Sequence, residues 1–318
     1  MNINLLIDNL TSPALLFFIL GIIAVKLKSD LVIPEGSSKF LSIYLLFSIG
    51  FKGGQELAHS NLNFDILWYV LFGVAIAAII PIYCFFILKM KLGVDNAGAI
   101  AAAYGSVSAV TFVTAVSFLE FQNIKFSGHM VAIMALMEAP AIIIGVILIS
   151  LYKAGDKIKM GGIIKHSFTN GSVLLILGSL IIGMITSDNQ AQSIKPFTTD
   201  LFKGFLVLFL LDMGITSGKK LSDFLKNGWF TFGFAVLVPF VNGCVVAFLS
   251  QYITAEIGDR FIFAVLAASA SYIAVPAAMK IAVPKANPGL YLPMALAVTF
   301  PFNITVGLPL YYSIITGV

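Results

Sequence analysis

Apolar stretches of 17 or more residues recur along the entire chain, and each is about long enough to cross a hydrocarbon layer of roughly 30 Å at 1.5 Å per residue. They lie near 12–28, 37–55, 64–88, 95–119, 129–152, 169–186, 199–218, 229–252, 259–281 and 289–315. Hydrophobic residues make up 59% of the 318 and charged residues 11%, more apolar surface than a water-soluble domain of this length could bury in one core. The expected fold class is therefore an all-α membrane protein of ten transmembrane helices. The first ten residues carry no basic segment, and Lys26 and Lys28 follow the first apolar run where a cleavage site would stand, so that run is expected to remain as a span. Cys84 and Cys244 fall inside spans, where a thiol packs as a small hydrophobe.

The charges give the orientation. Fourteen of the 19 basic residues, including Lys26, Lys39, Lys89, Lys157, Lys219 and Lys285, follow odd-numbered spans. Lys52, Lys125, Lys195, Lys203 and Arg260 fall on the opposite side, so the excess of positive charge places both termini on the non-cytoplasmic side of the cell's inner membrane. This distribution explains the net charge of +4 without a nucleic-acid partner.

The two halves of the chain echo each other in order. Gly50-Phe51-Lys52-Gly53-Gly54 corresponds to Gly214-Ile215-Thr216-Ser217-Gly218, Pro81 to Pro239, and Gly105-Ser106-Val107-Ser108 to Ala268-Ser269-Ala270-Ser271. Five spans per half reverse the orientation of the second half, so the expected organisation is a 5+5 inverted repeat. Residues 1–153 form the first repeat, 154–168 a cytoplasmic linker and 169–318 the second repeat.

The serine motifs stand near the middle of spans 4 and 9, where each span is expected to break. Pro276 cannot donate to the carbonyl of Tyr272, which loosens span 9, while span 4 has Gly105 at the corresponding place. Two half-helices starting at mid-membrane would point their N-termini at each other and form a trap for one small anion with no lysine or arginine. Gly105, Ser106, Val107, Ser108, Ser269, Ala270 and Ser271 are the expected substrate-binding residues. Small residues that merely allow close helix packing are the plainer alternative for either motif alone. Glu138, beside Pro140, is a costly carboxylate in an apolar span and the candidate for a coupling cation or proton. Asp212 is a second intramembrane carboxylate, with structural pairing as its plainer reading. Asn242 and Asn303 are candidates for interhelical hydrogen bonds, and His59, His129 and His166 read as solvated residues near span ends. A channel would need a continuous polar lining, and a hydrolase using Ser106 or Ser108 would need a mid-membrane histidine. The sequence shows neither, so secondary transport is expected and enzymatic activity is not.

These residues resemble the SbtA-type sodium-dependent bicarbonate transporters. The resemblance runs over nearly the whole chain through Ser12-Pro13, Asp30-Leu31-Val32-Ile33-Pro34-Glu35, Gly50-Phe51-Lys52-Gly53-Gly54, Gly105-Ser106-Val107-Ser108, Met137-Glu138-Ala139-Pro140-Ala141 and Pro284-Lys285-Ala286-Asn287-Pro288. It implies a homotrimer that carries bicarbonate between two broken helices with Na⁺ as coupling ion and no other cofactor, the cation lying near Glu138, Thr111 and Tyr272. Two departures stand out. This chain reads Ala270-Ser271-Tyr272 where the family has serine-serine-aspartate, and its loop near residues 153–168 is too short for the insertion that accompanies a PII-like regulatory partner.

Overall fold

A computed structural model of the chain describes residues 3–59, 65–152, 161–162, 165, 169–224 and 228–317. The expected linker 154–168 and His166 lie almost wholly outside these residues. The described residues are helical, with no strand among them.

A short helix α1 (Ile3–Leu10) precedes α2 (Pro13–Lys26), which starts because Ser12 accepts a hydrogen bond from the Leu15 amide and Pro13 fits the first helical position. Then follow α3 (Glu35–Ala58), α4 (Asp65–Lys89), the pair α5 (Val94–Gly105) and α6 (Ala109–Phe121), and α7 (His129–Tyr152). The second half runs through α8 (Gly171–Ile185), a surface helix α9 (Asp188–Lys195), α10 (Phe202–Phe224) and α11 (Trp229–Leu249). It ends with the pair α12 (Ile257–Ala268) and α13 (Ala274–Ala282) and with α14 (Pro288–Thr316), which widens into π-helical turns at Met294–Thr299 and Asn303–Gly307.

Six helical stretches among the described residues are long and apolar enough to cross a membrane: Asp65–Lys89, Val94–Phe121, His129–Tyr152, Asp188–Leu221, Trp229–Tyr252 and Pro288–Thr316. This corrects the lengths expected for spans 1 and 6. Their apolar runs extend into the flanking turns, and the helices themselves, α2 and α8, have 14 and 15 residues, or about 21 and 22 Å. Helix α3 is long enough but carries Lys39, Lys52 and Glu56 along its length.

Two assemblies emerge from the packing. Helix α2 lies along α10 and α3 along α8. At both crossings the backbones touch through glycine: a Cβ on Gly21 would stand 2.7 Å from the Ile215 nitrogen, and one on Gly54 would stand 2.9 Å from the Gly183 Cα. Lipid provides no hydrophobic drive between helices, so such close backbone contact is what holds them together. In the second assembly α4 and α7 enclose α5, and α11 and α14 enclose α12. Residues 97–116 and 261–271 are buried throughout, so the two serine motifs occupy the centre of this body.

Candidate functional site

Both serine-containing spans are broken where the motifs lie. Helix α5 stops at Gly105; Ser106 is extended at φ −82°, ψ 161°, and Ser108 caps α6 by accepting from the Thr111 amide at 3.2 Å. Helix α12 stops at Ala268, with Ser269 extended at φ −85°, ψ 166°, and α13 resumes at Ala274. Pro276 lies in the first turn of α13, where a missing N–H leaves no donor unused.

The two breaks cross and bond to each other. The Ser108 amide donates to Ser269 Oγ at 2.9 Å, Ser269 Oγ donates to the Leu266 carbonyl at 2.9 Å, and the Ser271 amide donates to the Ala103 carbonyl at 2.8 Å. Ser271 Oγ accepts from the Val275 amide at 3.4 Å. Ala270 and Val107 are buried between these bonded positions. The structure thus brings all seven expected substrate-binding residues to one crossing. At the start of α6 the amides of Ala109 and Val110 precede any intrahelical acceptor. Ser106 Oγ is fully buried and has no hydrogen-bond partner.

Neighbouring helices satisfy the carbonyls that the break in α12 exposes. Asn303 Nδ2 donates to the Ala268 carbonyl at 2.7 Å and Asn242 Nδ2 to the Ala267 carbonyl at 3.3 Å. Tyr83 donates to Asn242 Oδ1, and the Tyr311 hydroxyl lies 3.1 Å from the Pro239 carbonyl and 3.2 Å from Asn303 Oδ1. Pro239 leaves the Ala235 carbonyl without its helical donor, and Thr299 Oγ1 supplies one at 2.7 Å while pairing with the Tyr104 hydroxyl at 2.7 Å. Gly105 meets the other proline: a Cβ there would run into the Pro81 ring and approach the Ala77 carbonyl to 3.1 Å.

Two of the three expected cation residues, Thr111 and Tyr272, adjoin Ser108. Glu138 on α7 is 4% exposed, and its Oε2 has no hydrogen-bond partner. Thr111 is buried in the first turn of α6. The Tyr272 hydroxyl faces Met213 Sδ at 3.9 Å and stands next to the Ser108 side chain. No group of three His, Cys, Asp or Glu side chains converges among the described residues.

A cavity of about 530 Å³ opens between the start of α3, the end of α10 and the second break. Ser38, Lys39, Asp212, Thr216, Lys219 and Tyr272 are on its wall, and Ser38 donates to Asp212. Asp212 is thus paired across the α3–α10 contact. At the opposite end of the molecule Glu120, ending α6, holds Lys52 of α3 at 2.9 Å and Lys203 of α10 at 3.5 Å, tying the two assemblies together. There Asp259 accepts from the Ser127 amide at 2.6 Å and the Ser127 hydroxyl at 2.7 Å, with His129 Nε2 at 3.7 Å. His129 is buried beneath Tyr69, which corrects the expectation of a solvated residue: α7 begins there, and the start of α12 covers it. His59 is exposed as expected, donates from Nδ1 to the Gln55 carbonyl at 2.8 Å, and faces Asp188. The hydrogen bond to Gln55 and then the Asp188 carboxylate hold its pKa above the ordinary histidine value.

The family model of the Na⁺-dependent bicarbonate transporter superfamily matches residues 13–316, nearly the whole chain. No curated protein matches the chain significantly.

Proposed function

The chain belongs to the Na⁺-dependent bicarbonate transporter superfamily, and from that premise we propose that it is a secondary active transporter that imports bicarbonate together with Na⁺. The observation that carries this reading is the crossing itself: α6 starts directly after the break Ser106-Val107-Ser108, and Ser106 Oγ in that break is a buried hydroxyl with no partner. A helix start carries roughly half a positive charge and unused N–H donors. A site made of backbone amides and serine hydroxyls suits a singly charged oxyanion, because a fixed lysine or arginine would hold it too tightly to release.

The proposed architecture is ten membrane-crossing segments in a 5+5 inverted repeat, with α2 to α7 answered by α8 and α10 to α14. The exchanged pairing of α2 with α10 and α3 with α8 supports it. In this reading Lys39 and Lys219 face the cytoplasm, both termini lie on the other side of the plasma membrane, and the protein is a homotrimer. The 530 Å³ cavity on the Lys39 side and the Glu120 ion pairs on the other fit an inward-open member of an alternating-access cycle.

Glu138 is the proposed coupling site. An ionised carboxylate inside the membrane costs about 2.5–3.5 kcal/mol on insertion scales, and a bound cation offsets that cost. Na⁺ is the first choice through the family. The phenol at Tyr272, where the family carries a carboxylate, favours a proton on Glu138 as the second reading. Radiolabelled bicarbonate uptake by cells expressing the protein tests the anion site. Ser108→Phe and Ser271→Phe should each abolish uptake at unchanged expression, because the ring fills the crossing. Near-normal uptake in both variants would remove this site.

A further inference from the structure

The inner cavity and the crossing of the two breaks are neighbours, yet none of the four serines is on the cavity wall. What stands between them is Tyr272. It follows Ser271 directly in the second break, its side chain forms part of the cavity wall, and its hydroxyl reaches past the wall to the Ser108 side chain. Its ring packs edge-on against Phe300 of α14 with centroids 6.2 Å apart and planes at 65°. The hydroxyl's other neighbour is Met213 Sδ at 3.9 Å, and a thioether is a weak acceptor. The ring is thus held by Phe300 and the break, and the hydroxyl is held at the Ser108 side chain.

We propose that Tyr272 is a specificity-determining residue: its ring divides the anion site from the inner cavity and so limits the substrate to an oxyanion of about bicarbonate size. The proposal rests on the crossing being the anion site. With the ring in place, an anion bound at Ser106 and Ser108 has only the space between the breaks. Without it, the site joins a cavity of about 530 Å³ whose wall carries Lys39 and Lys219. A longer monocarboxylate could then keep its carboxylate at the crossing and extend its remaining atoms into that cavity.

The test uses full-length protein lacking Cys84 and Cys244, with Ser108→Cys as reporter, in vesicles that expose the inner face. The probe is a small charged methanethiosulfonate. With Tyr272 or Tyr272→Phe, labelling from the inner side should be slow; Tyr272→Ala should accelerate it at least tenfold, and Tyr272→Leu should fall between. The leucine variant serves if alanine impairs folding. In chains that keep Ser108, pyruvate should inhibit bicarbonate uptake at least tenfold more strongly in Tyr272→Ala than with Tyr272. Labelling equally fast with tyrosine, leucine and alanine, labelling as fast with phenylalanine as with alanine, or equal inhibition by pyruvate would each overturn the proposal. Protection of the reporter by bicarbonate addresses the underlying site separately: tyrosine-dependent labelling without such protection would keep the wall and reject the crossing as the anion site.

Discussion

Asn303→Leu isolates the device that keeps the second break open. Asn303 donates to the Ala268 carbonyl at 2.7 Å, a carbonyl with no helical donor because α12 stops there, and it also faces the Tyr311 hydroxyl at 3.2 Å. Leucine has a similar volume, so the packing change is small and the cost is that of the lost bonds. Leaving a buried carbonyl unpaired costs about 1–3 kcal/mol, whereas interhelical hydrogen bonds measured in membranes average about 0.6 and reach about 1.7 kcal/mol. Tyr311 keeps the Pro239 carbonyl, so the sum falls at about 1–2 kcal/mol. At about 2–4 °C per kcal/mol, the apparent Tm of the detergent-solubilised protein should fall by about 2–8 °C. Thermal denaturation followed by fluorescence-detected size exclusion measures this directly. Tyr311→Phe, which leaves the bond to Ala268 in place, should shift Tm less. An Asn303→Leu protein that melts with the wild type would show that the Ala268 carbonyl finds another donor and that Asn303 does not maintain the break.

Ser106→Ala should raise the KM for bicarbonate uptake about tenfold, the worth of one hydrogen bond to a charged ligand, with little change in Tm because Ser106 Oγ bonds to nothing in the protein; an unchanged KM would take Ser106 out of the site. Glu120→Gln breaks two partly exposed ion pairs worth at most about 1 kcal/mol. In the proposed cycle it should therefore slow labelling of a Thr216→Cys reporter on the 530 Å³ cavity by up to about fivefold, and no change would show that these pairs do not bias the cycle. The pKa of His59 is raised in the folded protein, so its contact with Gln55 and Asp188 contributes fully below the unfolded value of about 6.5 and is lost as pH rises through the higher folded value. Asp188→Asn should lower the His59 pKa seen by NMR of histidine-labelled protein, and an unmoved titration would contradict the assigned contact.

Local signals made the helix breaks readable in the sequence. Gly105-Ser106-Val107-Ser108 combines weak helix formers with N-capping hydroxyls, Ala268-Ser269-Ala270-Ser271 shares only the hydroxyls, and the structure interrupts the helix at both. The same chemistry marked Asn242 and Asn303, amides too polar for lipid and now seen holding the freed carbonyls of α12. What the sequence did not reveal depends on partners far along the chain. Thr299 supplies the donor that Pro239 removes from Ala235, and Ser38 meets Asp212, yet neither residue advertises its partner. Tyr272 read as a missing carboxylate, whereas its position on the cavity wall emerges only when α10, α13 and α14 are assembled. His129 misled because a polar residue at a helix start is usually solvated, and here Asp259 and Tyr69 enclose it. The lengths of α2 and α8 were overstated because hydropathy continues through turns that the backbone does not.

Coupling is decided by purified protein in liposomes, with radiolabelled bicarbonate outside and an inward Na⁺ gradient imposed at equal pH on both sides. Wild-type protein should accumulate bicarbonate above its equilibrium level with the Na⁺ gradient and fail to do so when K⁺ replaces Na⁺. Glu138→Gln should lose accumulation under both conditions. Accumulation that ignores Na⁺, or a Glu138→Gln protein that concentrates bicarbonate as well as the wild type, would contradict the account.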